Sequence, residues 1–179
     1  MEHFSPLKKH GGDSKVDLRW SVALPGTIFG SSSMVDSRVT RDHNLDVLQA
    51  LGFKKYSNTT VFHKDRISLL SPAVAKNQSG GYWFDVRKVN IERLTSEAYL
   101  CIRIVPDYFV LEPLNKVSKL ITTELMDNRP KSGDVWGLGL TFQENSMTVQ
   151  IFNKSFSSVK VNSRLLTRDK AIKALVTLT

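Results

Sequence analysis

Between residues 59 and 153 the chain is cut into short runs of apolar and β-branched residues, most closed by turn residues, and this points to a mixed-sheet α/β or α+β domain. Residues 59–70 read as two strands around Lys64-Asp65, residues 82–88 and 98–105 as two more, and residues 108–111 as another after Pro106-Asp107. Residues 135–142 and 147–153 flank Gln143-Glu144-Asn145-Ser146 as a hairpin, and residues 157–161 suggest an edge strand. Upstream, Val16, Leu18, Trp20, Val22 and Leu24 alternate with smaller or polar residues as in a half-buried strand ended by Pro25-Gly26. Residues 27–39 are a Ser- and Gly-rich loop of the length that often carries function. Three helical patterns interrupt the strands: residues 41–51 after Thr40, residues 114–126 opened by Pro113, and a last helix capped by Thr167 with Ala171, Ile172, Leu175 and Leu178 facing inward. This order predicts an α/β fold of the mixed α+β kind, a central mixed sheet flanked by helices. Residues 1–15 read as a flexible arm and residues 16–179 as a single globular domain; residues 128–133 read as a turn-rich link.

The chain's 25 Lys and Arg against 17 Asp and Glu give a formal charge of +8, which favours a polyanionic partner, nucleic acid before anionic membrane. The excess is not confined to one tail, since residues 114–179 alone hold 10 basic and 5 acidic residues. Cys101 is the only cysteine, so neither an internal disulfide nor a cysteine zinc site can form, and its apolar surroundings predict a core thiol. With no apolar run of signal-peptide or membrane-spanning length, a soluble protein in a reducing, intracellular and cytoplasmic setting is expected. The triplets at Asn58, Asn77 and Asn153 are then chance matches to the glycosylation pattern.

The densest chemistry lies between Leu70 and Lys88, where the Pro72-Ala73 loop, the Gly80-Gly81 turn and the strand Tyr82-Trp83-Phe84-Asp85-Val86-Arg87-Lys88 follow in close order. Alternation along a strand puts Asp85 and Arg87 on one face and Phe84 and Val86 on the other, so Asp85 and Arg87 can meet one phosphate. This layout resembles the PD-(D/E)xK, or restriction-endonuclease-like, nuclease superfamily. Pro72-Ala73 stands at its Pro-Asp position and Asp85-Val86-Arg87 at its acid-x-Lys position, with the order of elements similar over residues 40–126. The resemblance implies a restriction-endonuclease-like core and Mg²⁺-dependent phosphodiester hydrolysis of DNA, with Asp85 as metal ligand and Arg87 at the scissile phosphate. Two departures stand out. Ala73 cannot bind a metal, and Arg87, always charged, cannot act as a base. The expectation is therefore a DNA-binding protein resembling a Mg²⁺-dependent endonuclease, with cleavage disabled at position 73 by natural loss or by engineering. The alternative is a non-catalytic module that reads DNA sequence or base modification, and a third is a basic protein-interaction domain. A homodimer is left open.

Lys54, Lys55, Lys64, Arg66, Lys76, Arg87 and Lys88 are the candidate phosphate contacts, extended by Lys116 and Lys119. Tyr56, Tyr82 and Trp83 are interleaved with them and can stack on bases, although Trp83 is expected in the core, with exposure open because it shares a face with Asp85. Glu92, Asp36 and Asp46 are candidate supplementary acids. His3, His10, His43 and His63 lack metal-ligand spacing, residues 133–139 lack the Gly-Lys-Ser/Thr ending of a P-loop, and no hydrolase triad can be assembled.

Overall fold

The computed structural model describes residues 46–77, 80–104 and 108–179, all within the compact unit that spans Ser33–Thr179. The expected strand at 16–24, the loop at 27–39, the first residues of the 41–51 helix, and His3, His10, His43 and Asp36 lie outside the described residues. The strands are β1 (Lys54–Lys55), β2 (Val61–Lys64), β3 (Ile67–Leu70), β4 (Ala75–Lys76), β5 (Tyr82–Arg87), β6 (Glu97–Ile104), β7 (Tyr108–Pro113), β8 (Asp127–Arg129), β9 (Gly133–Gln143), β10 (Thr148–Asn153), β11 (Lys160–Arg164) and β12 (Leu166–Thr167). Helix α1 is described over residues 46–50, α2 spans Lys88–Ile91, α3 Leu114–Val117 and α4 Arg168–Leu178.

The strands form two sheets. Sheet A runs β1-β2-β3-β6-β7-β12 and is antiparallel except for the parallel pair β3–β6; sheet B runs β11-β10-β9-β5-β4, with β8 added along β9. The chain leaves sheet A after β3, builds β4 and β5 in sheet B, and returns to sheet A as β6. Their facing sides share one core, in which Leu70, Leu100, Ile102, Ile104 and Val110 of sheet A meet Phe84, Val86, Trp136, Leu138, Leu140, Val149 and Ile151 of sheet B. The second face of sheet A is covered as well. Leu48 of α1 and Leu175 of α4 pack with Phe62, Ile67, Leu69 and Cys101, and Val47 and Ala171 pack with Phe109. Strands buried on both faces are apolar almost throughout, as in β3 and the later part of β6, whereas β5, β10 and β11 alternate buried with more exposed positions. That alternation marks the outer face of sheet B as open to solvent.

The mixed α+β class expected from the sequence holds. The layering is finer than one central sheet flanked by helices, because the helices cover one face of sheet A and a second sheet covers the other; a restriction-endonuclease-like core is not shown. The expected helix at 114–126 is replaced by α3, two 3₁₀ turns at Ser118–Leu120 and Thr123–Leu125, and an unwound stretch between them. The run Ile121-Thr122-Thr123 is β-branched and a poor helix former. Its backbone carbonyls also find other donors. Trp136 Nε1 donates to Thr122 O at 2.6 Å, and the buried Asn153 Nδ2 donates to Leu120 O at 3.1 Å and Leu125 O at 3.3 Å. Likewise residues 128 and 129 of the expected turn-rich stretch belong to strand β8, and the edge strand expected at 157–161 sits at Lys160–Arg164.

Burial drives the Cys101 thiol from 9.0 up to about 12. The native thiol should therefore resist an aromatic disulfide reagent at pH 8 and react fully once denatured. Since the folded state keeps this proton longer than the unfolded chain, the contribution to stability is whole below pH 9 and is lost as pH rises toward 12, so urea midpoints should fall across that window.

Candidate nucleic-acid interface

The outer face of sheet B is assembled from strands far apart in sequence. Backbone pairing sets Ala75, Trp83, Gly139, Phe152 and Lys160 in one row across β4, β5, β9, β10 and β11. A second row holds Thr141, Gln150 and Asn162, and a third Gln143, Thr148 and Arg164. Gln150 Nε2 donates to Asn162 Oδ1 at 3.0 Å, and a shallow depression of about 490 Å³ opens beside these residues, lined also by Thr141, Gln143 and Thr148.

Trp83 therefore points away from the core, correcting the expectation of an inward ring, and Lys154 Nζ lies 4.9 Å from the centroid of its indole. Two strands away, Phe152 lies along the sheet rather than standing off it, because Gly139 has no side chain: a Cβ there would come within 2.3 Å of the Phe152 Cζ. Both rings are half-buried, and Lys154, Lys160 and Arg164 around them are exposed.

Beyond the rings the acid of the sequence motif is already engaged. Asp85 faces outward while Phe84 and Val86 enter the core, as period-2 alternation requires. Its partner is not Arg87. Arg129 Nη1 from β8 binds Asp85 Oδ2 at 2.8 Å, Arg129 Nη2 reaches Asp127 Oδ2 at 3.4 Å, and Ser155 Oγ donates to Asp127 Oδ1 at 3.2 Å. A Cβ at residue 137 would lie 2.9 Å from Arg129 Nη2, so Gly137 leaves the space in which the guanidinium lies. Burial works against the Arg129 cation, yet the hydrogen bond and charge of Asp85, then those of Asp127, outweigh it and hold its pKa above the ordinary value. Arg87 instead donates from Nε to Ser132 O at 3.2 Å.

A Mg²⁺ ion needs several oxygen ligands in a tight octahedron. Here one acid, Asp85, is supplied by β5, and a guanidinium bridges it to the next, Asp127, where a divalent ion would have to sit. The residues present do not fit the metal that the resemblance implies. Among the described residues no group of three or more His, Cys, Asp or Glu could hold a metal ion. Ala73 lies just before β4; carrying the register of Ala75 with Trp83 two residues further would set it opposite Asp85. Asp46 on α1 and Glu92 after α2 are both exposed and join no such group.

The other sequence candidates do not converge on one surface. Lys54, Lys55, Lys64 and Arg66 lie at the β1–β3 end of sheet A, where Lys64 Nζ donates to Thr179 Oγ1 at 3.0 Å and Arg66 Nε pairs with Glu97 at 3.1 Å. Tyr56 is near them, edge-on to His63, with Arg93 over its ring. Lys76 and Lys88 flank β5 at its two ends, Lys76 over the Tyr82 ring and Lys88 within 3.8 Å of Asp134. Lys116 binds Glu112 at 2.7 Å, an acid that also accepts from Ser163 Oγ, and Lys119 is exposed in the 3₁₀ turn. Phe152, Lys154, Lys160, Arg164 and Arg129 were not among the candidates. The signal for the β10 face was the alternation of Thr148, Gln150 and Phe152, with Phe152 paired to Gly139. No helix among the described residues is long and apolar enough to cross a membrane. No family model, curated protein or solved structure matches the chain.

Proposed function

We propose that the protein binds nucleic acid on the outer face of sheet B and, with alanine at position 73, does so without hydrolysing it. One observation supports this most strongly: an open sheet face that sets Trp83 and Phe152 among Lys154, Lys160 and Arg164, while its acid, Asp85, is neutralised by Arg129. Cations of this kind neutralise phosphates and release their counterions, so affinity depends steeply on salt. Rings among them add contacts that need no base sequence. The resemblance to PD-(D/E)xK nucleases points to DNA as the polymer.

The test is fluorescence anisotropy of labelled oligonucleotides titrated with salt, in Mg²⁺ and in EDTA. Affinity should fall by about tenfold or more for each two- to threefold rise in salt and be the same in both buffers. No binding at low salt would sink the proposal. Because the β4–β5 register, carried two residues further, would set residue 73 opposite Asp85, the nuclease reading is testable through Ala73→Asp. With Arg129 still bridging Asp85 and Asp127, this substitution alone is expected to give no Mg²⁺-dependent cleavage, and cleavage would establish the nuclease reading instead.

A further inference from the structure

We infer that the ligand of this face is a single-stranded nucleic acid whose bases stack on Trp83 and Phe152, an inference that rests on the proposed binding at sheet B. Duplex DNA is read by an element narrow enough to enter a groove, such as a helix or a two-stranded ribbon. The outer face of sheet B is a broad surface in which β5, β9, β10 and β11 lie side by side, with the rings in its interior. A base pair hides its flat faces inside the stack, so neither ring can reach them from a duplex. Unpaired bases expose those faces and stack on aromatic rings whatever their identity.

Spacing and chemistry agree with this. Trp83 and Phe152 lie in one row two strands apart, about 10 Å at the usual strand separation, with Gly139 between them. The distal end of the Phe152 ring lies over that glycine, and the side chain is only half-buried. Lys154 is at the Trp83 ring and Lys160 is next to Phe152 in the row, so each stacked base has a cation within reach of its phosphate. A base that settles on Trp83 displaces the Lys154 ammonium from the ring toward the backbone. Thr141, Gln150 and Asn162 in the adjoining row offer donors and acceptors to base edges at the rim of the depression.

The experiment compares a labelled oligothymidylate, an oligouridylate and a duplex of matched length on the full chain, Trp83→Leu and Phe152→Leu. Leucine keeps apolar cover over the sheet and removes the π-face, and thermal melts confirm that the variants fold; Phe152→Tyr, which keeps the ring, serves as the rescue. The inference expects single strands to bind about tenfold or more tightly than duplex, each leucine variant to lose about tenfold for single strands, and Phe152→Tyr to bind as the parent does. Duplex bound as tightly as single strand, or leucine variants that bind single strands normally, would overturn the stacking inference and leave the broader binding proposal standing. If none of the three oligonucleotides binds, the broader proposal falls first and the inference with it.

Discussion

Asn153→Ala should destabilise the protein by about 3 kcal/mol or more, read as a fall in urea midpoint, because each buried polar group left without a partner costs roughly 1–3 kcal/mol. The Asn153 side chain is fully buried at the end of β10 and uses both ends of its amide. Nδ2 donates to the Leu120 and Leu125 carbonyls, and Oδ1 accepts from the Ser155 amide at 2.9 Å and the Phe156 amide at 3.2 Å. Alanine strands two carbonyls and two amides at once. Asn153→Asp should cost at least as much, since a buried carboxylate keeps the two amides but sets its charge against the Leu120 and Leu125 carbonyl oxygens. Lys154→Ala, one residue on and exposed, should change stability by no more than about 0.5 kcal/mol. Asn153 thus links the fold to the binding face. It fixes the segment that would otherwise be helical and starts the loop that carries Lys154 to Trp83.

The second large effect concerns binding. Reversing Lys154, Lys160 and Arg164 together to glutamate should weaken nucleic-acid binding by about a hundredfold or more at moderate salt and lower the slope of log affinity against log salt by about 2 for a single strand. All three side chains are exposed, so the folded structure should be retained, as a thermal melt would show. Reversing Lys54, Lys64 and Arg66 makes the same change in net charge at the far end of sheet A. There the effect should be small, because at about 0.1 M salt charges more than roughly 10 Å from the ligand are screened. Equal losses from the two triple variants would mean that net charge, not the sheet B face, governs binding.

Much of this architecture was legible in the sequence, and the failures have physical causes. Among the described residues, β5, β6, β9 and β10 begin and end within a residue or two of their sequence patterns, and the outward direction of Asp85 follows from alternation alone. Residues 114–126 have helical apolar spacing but do not form one helix, because their carbonyls are claimed by Trp136 and Asn153, side chains that only tertiary structure brings near. Strand β8 is three residues long and polar, so it has no pattern of its own and exists by pairing with β9. The site was less legible than the fold. Asp85 and Arg87 share a strand face, yet the ion pair forms with Arg129, 44 residues away, through the space that Gly137 leaves. Trp83 and Phe152 become neighbours only across β9. Local reading finds a candidate acid, but it cannot find the arginine that neutralises it or the cations that surround the rings.

Binding of nucleic acid to the outer face of sheet B can be mapped residue by residue from amide chemical-shift changes in the isotope-labelled protein as a thymidine oligonucleotide is added. Changes are expected to centre on Trp83, Gly139, Thr141, Gln150, Phe152, Lys154 and Lys160, with Lys54, Lys64 and Arg66 unmoved. Changes confined to β1–β3, with sheet B silent, would contradict binding at this face.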